Sequence, residues 1–447
     1  MPKPLARLAA TLALALPLPA LALDPAALPA PPVTDADYAP VNAAEARLGQ
    51  LLFWDPILSG NRNIACGTCH HPEFATSDGM SLGIGEGGIG IGPARQLDAA
   101  NPPEDFIPRN APALFNLGAR DFTVMFHDGR VETDPRQPSG IRSPMGAEML
   151  DGFSGILSAQ TMFPVLSADE MAGQFTENDV ARAVRMGLIT GPGGAWDILS
   201  QRVSENAAYR AHFADAYPDI AAGRAIGFSD ISNAIAAFIA FEWRSDTAPF
   251  DAVLRGQHTL TGGAARGMDL FYGAAHCSTC HSGPFQTDHG FHAMGVPQFG
   301  PGKAASFETH QRDEGRMEVT GRPEDAFKFR TPSLRNVAFT APYGHTGAFV
   351  ELSEFLKFHA DPVGQSKTYV AKVQLTPGMD HATALAPLSD TGLTGEILAA
   401  VSTPPLALDD ADIAALTAFL HSLSDPAAVV GRLGIPLSVP SGLPVDR

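Results

Sequence analysis

The sequence predicts a mainly α-helical protein of two similar units, each built around one covalently held cofactor and wrapped in long loops. Three observations carry this expectation. Cys66-Gly67-Thr68-Cys69-His70 recurs as Cys277-Ser278-Thr279-Cys280-His281, and these two segments use all four cysteines of the 447-residue chain. The residues around the two segments repeat as well. Apolar residues recur at helical spacing, whereas the 38 prolines and 44 glycines cluster between the periodic stretches, where they favour loops.

Cys-x-x-Cys-His is the attachment signature of c-type haem, in which two thiols form thioethers and the histidine supplies a nitrogen to iron. The pattern predicts two haem c groups, one on Cys66, Cys69 and His70 and one on Cys277, Cys280 and His281, and hence two cytochrome c-like domains. A disulfide framework would not need the histidines, and a chain of this length builds large cores without such staples. A four-thiolate zinc site would also leave both histidines unexplained.

Lys3 and Arg7 precede an apolar run from Leu8 to Leu18, and Ala20-Leu21-Ala22 offers a small-residue cleavage site, so residues 1–22 read as a secretory signal peptide. Export to the periplasm agrees with haem attachment, which takes place there. No later stretch approaches the roughly 20 apolar residues of a membrane span. Loss of two cations and no acid moves the formal charge from -18 to -20. Nucleic acid and anionic membranes are therefore poor partners, and a small electron-carrier protein is a better one.

The repeat divides the rest into residues 23–250 and 251–447, with a boundary near Thr247 to Gly263. Ala46-Arg47-Leu48-Gly49-Gln50-Leu51-Leu52-Phe53 is echoed by Ala265-Arg266-Gly267-Met268-Asp269-Leu270-Phe271. Phe74 and Phe285, Thr76 and Thr287, and Gly79 and Gly290 stand at matched distances after the two histidines. Pro112-x-Leu114-x-Asn116 before His127-Asp128-Gly129 is matched by Pro332-x-Leu334-x-Asn336 before His345-Thr346-Gly347. Asn42 with Glu45 forms a capping-box pattern, Ser229 and Ser353 are candidate caps of apolar helices, and Asp409 caps another carrying Ile413, Leu416, Leu420 and Leu423. The glycine-rich run 83–92 has no strand before it and no helix after it, so it reads as a loop near the first haem and not as a dinucleotide fingerprint.

Arg109-Asn110-Ala111-Pro112, Phe126-His127-Asp128-Gly129-Arg130, Gln160 and Glu170 around Phe163-Pro164-Val165, and Arg330-Thr331-Pro332-Ser333-Leu334-Arg335-Asn336-Val337, together with the two haem motifs, resemble the bacterial dihaem cytochrome c peroxidase/MauG superfamily. The resemblance runs from about Leu48 to Leu423. It implies a peroxidatic haem in the first domain and an electron-transfer haem in the second. Glu170 then corresponds to the catalytic acid/base and Gln160 to a hydrogen-bonding orienter of peroxide. The histidine that caps the first haem in many members would stand eight residues before Asn110, where this chain has Pro102, so the first haem is expected to be open.

The family's distal ligand to the second iron stands 14 residues after the histidine of the His-x-Gly motif. Counting from His345 gives His359, with Met294 as the rival ligand. His127 replaces the tryptophan that members usually carry between the haems. Asn110, with the carbonyls of Thr340 and Pro342, corresponds to an interdomain calcium position. The implied activity is periplasmic reduction of hydrogen peroxide to water with electrons from a cytochrome c or cupredoxin. The alternatives are a MauG-like oxidase acting on side chains of a partner protein and a dihaem electron carrier without catalysis.

Overall fold

The computed structural model describes residues 28–303 and 310–447, so the expected signal peptide lies outside the described residues. Two helix pairs organise the chain. In the first, Ala43–Phe53 crosses Phe228–Glu242; in the second, Gly262–Tyr272 crosses Asp410–His421. Each crossing turns on a glycine. A Cβ on Gly49 would lie 1.8 Å from Ala234 O and 2.8 Å from Phe238 Cβ, and one on Gly267 would lie 1.9 Å from Ala415 O and 2.8 Å from Phe419 Cβ. Gly49 is thus the counterpart of Gly267, one residue out of step with the Ala-Arg match read from sequence, because backbone contact sets the equivalence. Gly267→Ala is expected to cost about 1–3 kcal/mol through overpacking, measurable by denaturant unfolding of the holoprotein.

The repeated asparagines occupy equivalent places. Asn116 and Asn336 both adopt left-handed backbone, with φ of 61° and 63°. Asn116 Nδ2 donates to Ser245 O and Asn336 Nδ2 to Ser245 Oγ, so the two motifs meet on one serine. Strands are short. The described residues form three small antiparallel sheets, among them Phe291–His292 paired with Phe329–Arg330 beside the second haem motif.

Helix starts differ from the sequence reading in three places. Asn42 accepts from Ala44 N and Glu45 N as a cap should, but Glu45 is turned away to accept from Tyr217 Oη at 2.8 Å and closes no box. The expected Ser229 cap is replaced by Gly227, whose N–H is held by Asp230, and the expected Ser353 cap by Glu351. In both cases the residue just ahead of the serine, Phe228 or Leu352, is buried, and drawing it into the first turn outweighs a serine cap. Asp409 caps Asp410–His421 as expected, accepting from Asp412 N at 2.8 Å.

The apolar side chains gather into two main clusters. The first holds Leu48, Leu52, Trp54, Trp196 and Phe238; the second holds Phe250, Phe271, Leu416 and Phe419. The clusters exchange segments along the sequence. Leu82, Ile84 and Phe106 join the second, while Ala428 and Val439, from the stretch assigned to the second unit, join the first. That tail is fastened: Glu242 accepts from Arg432 N, Leu433 N and Gly434 N, and Thr68, inside the first haem motif, donates to Asp446 at 2.6 Å. Among the described residues no helix is long and apolar enough to cross a membrane.

Candidate functional site

The first attachment segment is a single helical turn, Cys66–Cys69. Gly67 is required between the cysteines, because a Cβ there would meet the Trp54 ring at 2.3 Å. The four cysteines form no disulfide. Burial pushes the Cys66 and Cys69 thiols up to about 12, which disfavours the free thiolate that disulfide exchange would use.

His70 Nδ1 lies 2.9 Å from Thr76 O, brought there by the left-handed pair Ala75 and Thr76. His281 repeats the contact, with Nδ1 3.1 Å from Gln286 O. An Nδ1–H donated to a carbonyl fixes the tautomer and leaves Nε2 as the ligand atom. Burial lowers the pKa of both rings, so each is neutral and able to ligate. The backbones of Pro112 and Pro332, the first residues of the repeated Pro-x-Leu-x-Asn motif, support His70 and His281 respectively.

Around the second segment lies a cavity of about 540 Å³, lined by Cys277, Cys280, His281, Phe271, Leu416 and His359 among others. The His281 and His359 ring centroids are 6.3 Å apart. Two imidazoles bonded at about 2 Å to one shared metal, each ring along the bond axis, would place their centroids about 6 Å apart, so the separation matches what two rings sharing one iron would need. Met294 lines the same cavity. His289 and His292 are turned to Asp121 and Asp288, at 3.2 and 2.9 Å. The residues present fit a covalently attached haem.

Glu170 stands on a π-helical turn, Ala168–Ala172, capped by Ser167, and Gln160 on the helix Ile156–Thr161; the turn Pro164–Leu166 between them packs on the Glu170 turn. The glycine-rich loop lies directly against this turn. A Cβ on Gly85 would meet the Glu170 carbonyl oxygen at 2.4 Å, and Glu86 N donates to Asp169 O at 3.1 Å. Among the described residues no hydrogen bond or ion pair engages the Glu170 carboxylate, and Gln160 Oε1 is buried without a partner. Burial raises the Glu170 pKa above the ordinary carboxylate range, opposed by the charges of Arg130 and Lys303. Cys69 is within electrostatic reach of Glu170.

Lys303, contributed by the second half of the chain, went unnoticed in the sequence because it sits in an unremarkable Gly-Pro-Gly-Lys turn. Arg130 was visible only as part of the Asp-Gly-Arg motif. His71, next to the first ligand, packs edge-on against Trp54 with centroids 5.5 Å apart and accepts from Glu73 N, so it is held away from the opposite face.

His127 Nε2 lies 3.1 Å from Asn110 O, and His127 lines the cavity around the second segment. His345 stacks on Phe329 with centroids 3.6 Å apart. Burial, aided by the Arg109 charge, lowers the pKa of His127 to about 4, so it is neutral. Asn110, Thr340 and Pro342 all border the cavity. Asn110 donates through Nδ2 to Met80 O, and among the described residues no donor engages Asn110 Oδ1 or the Thr340 and Pro342 carbonyls. Oxygen atoms are the donor type that a hard cation such as calcium takes.

Two haem-attachment turns, each with its histidine oriented by a backbone carbonyl, and an unpaired carboxyl within electrostatic reach of the first define a dihaem redox enzyme. A sequence profile of the family described as di-haem cytochrome c peroxidase matches residues 43–259. The chain is 28% identical over 381 residues to the cytochrome-c peroxidase IdrP1 of Pseudomonas sp. (strain SCT), spanning 80% of this chain and 83% of that protein. It is 27% identical over 428 residues to the methylamine utilization protein MauG of Paracoccus denitrificans (strain Pd 1222), spanning 90% and 94%. Among solved structures, a MauG-like protein associated with microbial copper homeostasis aligns with a TM-score of 0.55 and 26% identity over 90% of this chain and 95% of that one. The diheme peroxidase BthA from Burkholderia thailandensis E264, at 20% identity and a TM-score of 0.56 over 96% of this chain and 94% of that one, shares the fold. The chain belongs to the dihaem cytochrome c peroxidase/MauG superfamily of oxidoreductases.

Proposed function

We propose that this chain reduces hydrogen peroxide to water in the periplasm, with electrons delivered by a small redox protein such as a cytochrome c or cupredoxin. The observation that carries this reading is the unpaired Glu170 carboxyl, raised in pKa by burial and within electrostatic reach of Cys69 in the first haem-attachment turn. When bound, haem supplies an iron coordination position and one-electron redox chemistry. Glu170 in its ionised form takes the proton from the inner peroxide oxygen and returns it to the outer oxygen as the O–O bond breaks; two electrons and two protons then balance the formation of two waters. Gln160, with its free Oε1, orients peroxide without exchanging a proton. His70 and His281 would hold the two irons, with His359 as a further ligand at the second. His127 stands between the haems as a neutral imidazole, which is harder to oxidise than an indole.

A second reading, MauG-like oxidation of a partner protein's side chains, is favoured by the match to MauG along 90% of the chain and by Pro102 where a capping histidine would stand. Mixing reduced cytochrome c or cupredoxin and peroxide with the holoprotein separates the two. Steady oxidation of two donor molecules per peroxide is the expected result. Slow donor turnover with stable oxidation of a co-purified protein would instead establish the MauG-like reading.

Calcium is the further cofactor of this reading, held by Asn110 Oδ1 and the Thr340 and Pro342 carbonyls. Chelation is expected to slow electron transfer between the haems, read by stopped-flow absorbance, while both haems stay attached, because the ion would order the surface between the haems and would not ligate iron. Metal analysis finding no calcium in active protein would remove it from the account.

A further inference from the structure

We propose that Met294 replaces His359 as the distal ligand of the second haem when that haem is reduced. The proposal rests on the assignment of His281 and His359 as the ligands of the oxidised state, and it comes from an asymmetry among the three ligating histidines. His70 and His281 each pass Nδ1–H to a backbone carbonyl, Thr76 O and Gln286 O. His359 Nδ1 is buried with no hydrogen-bond partner. Ligating histidines almost always have such a partner, and losing it typically weakens metal affinity by about 10- to 100-fold. His359 is held chiefly by packing, edge-on to Phe355 with centroids 5.4 Å apart, and it sits one residue from the end of the helix Leu352–Ala360. It is the most weakly anchored of the three.

Met294 is the natural competitor. It lines the same cavity, and its neighbour Gly295 lies against the chain just beyond His359: a Cβ on Gly295 would meet Pro362 at 3.1 Å and Leu398 at 3.3 Å. Met294 and His359 thus border one cavity, on segments of chain packed against each other. An unbranched thioether has three rotatable bonds and adapts to the space a neighbour leaves. Ligand preference supplies the switch, since a thioether favours ferrous iron and raises the reduction potential, whereas a second imidazole favours ferric iron. One electron arriving at the second haem shifts the balance from the poorly held imidazole to the sulfur, and its departure shifts it back. The second haem would accept electrons at one potential and hold them at a higher one, a gate against their return to the donor.

The test compares ligation in the two oxidation states of the holoprotein. EPR of the oxidised protein should show a bis-imidazole low-spin signal that His359→Ala abolishes. Proton NMR of the fully reduced protein should show a strongly upfield-shifted methionine methyl resonance, and Met294→Leu should remove it while leaving the oxidised bis-imidazole signal in place. Fast-scan voltammetry should resolve separate reductive and oxidative couples in the wild type, and a single, lower couple in Met294→Leu. A reduced wild-type protein without the upfield methyl would overturn the switch and leave the His359 assignment standing. An oxidised bis-imidazole signal that is absent, or that survives His359→Ala, would overturn the assignment and the switch together.

Discussion

Glu170→Gln is expected to slow the reaction with hydrogen peroxide by about 10²-fold or more, the scale on which a positioned acid/base acts. Reduction of the second haem by a donor should be nearly unchanged, because Glu170 lies by the first attachment turn. The amide keeps the shape of the carboxyl but can neither accept the proton of the inner peroxide oxygen nor return one to the outer oxygen. Only ionised Glu170 can accept that proton. The wild-type rate should therefore fall as pH falls through the Glu170 pKa, which burial places above the ordinary carboxylate range. The variant should lose this pH dependence along with the rate. Stopped-flow mixing with peroxide measures both; equal rates in wild type and variant would refute the assigned proton transfer.

Arg109→Met is expected to destabilise the folded holoprotein by about 3–5 kcal/mol, the usual cost of leaving buried charges unpaired. Arg109 is buried and clamps two carboxylates from distant parts of the chain, Asp128 at 2.5 Å and Asp313 at 2.6 and 2.7 Å. Burial alone would raise both carboxyls, but the Arg109 charge and hydrogen bonds more than reverse it, so both lie below the usual range. The stability they contribute is full above about pH 4, the ordinary carboxylate range, and is lost as acid drives the pH down through their depressed folded values. In Arg109→Met the sign changes. Asp128 keeps Arg130 at 3.1 Å, but Asp313 is left buried without a cation, which pushes its carboxyl up, so acidification should partly restore the variant relative to wild type. Denaturant unfolding at neutral and mildly acidic pH reads this difference.

What the sequence made legible was local or repeated. Each haem turn is one contiguous pentamer whose chemistry needs those residue types side by side, and the repeat marked Asn116 and Asn336 before any coordinates showed them meeting on Ser245. His359 follows from the resemblance by counting from His345, and its ring centroid lies 6.3 Å from that of His281. Less accessible was anything fixed by contact between distant segments. Arg109 and Asp313 are 204 positions apart, so nothing local in the Arg-Asn-Ala-Pro motif announces the clamp. The fastening of Asp446 to Thr68 spans nearly the whole chain. The caps expected at Ser229 and Ser353 failed because burial of Phe228 and Leu352 began those helices earlier. The π-helical turn under Glu170 has no sequence signature and depends on the glycine-rich loop packed against it.

The central claim is an asymmetric pair of haems, the first open to peroxide above Glu170 and the second closed by His281 and His359. EPR of the oxidised, substrate-free holoprotein tests it most directly. One high-spin signal together with one low-spin bis-imidazole signal of equal intensity is the predicted result; two low-spin signals would contradict it, because the first iron would then have no position for peroxide.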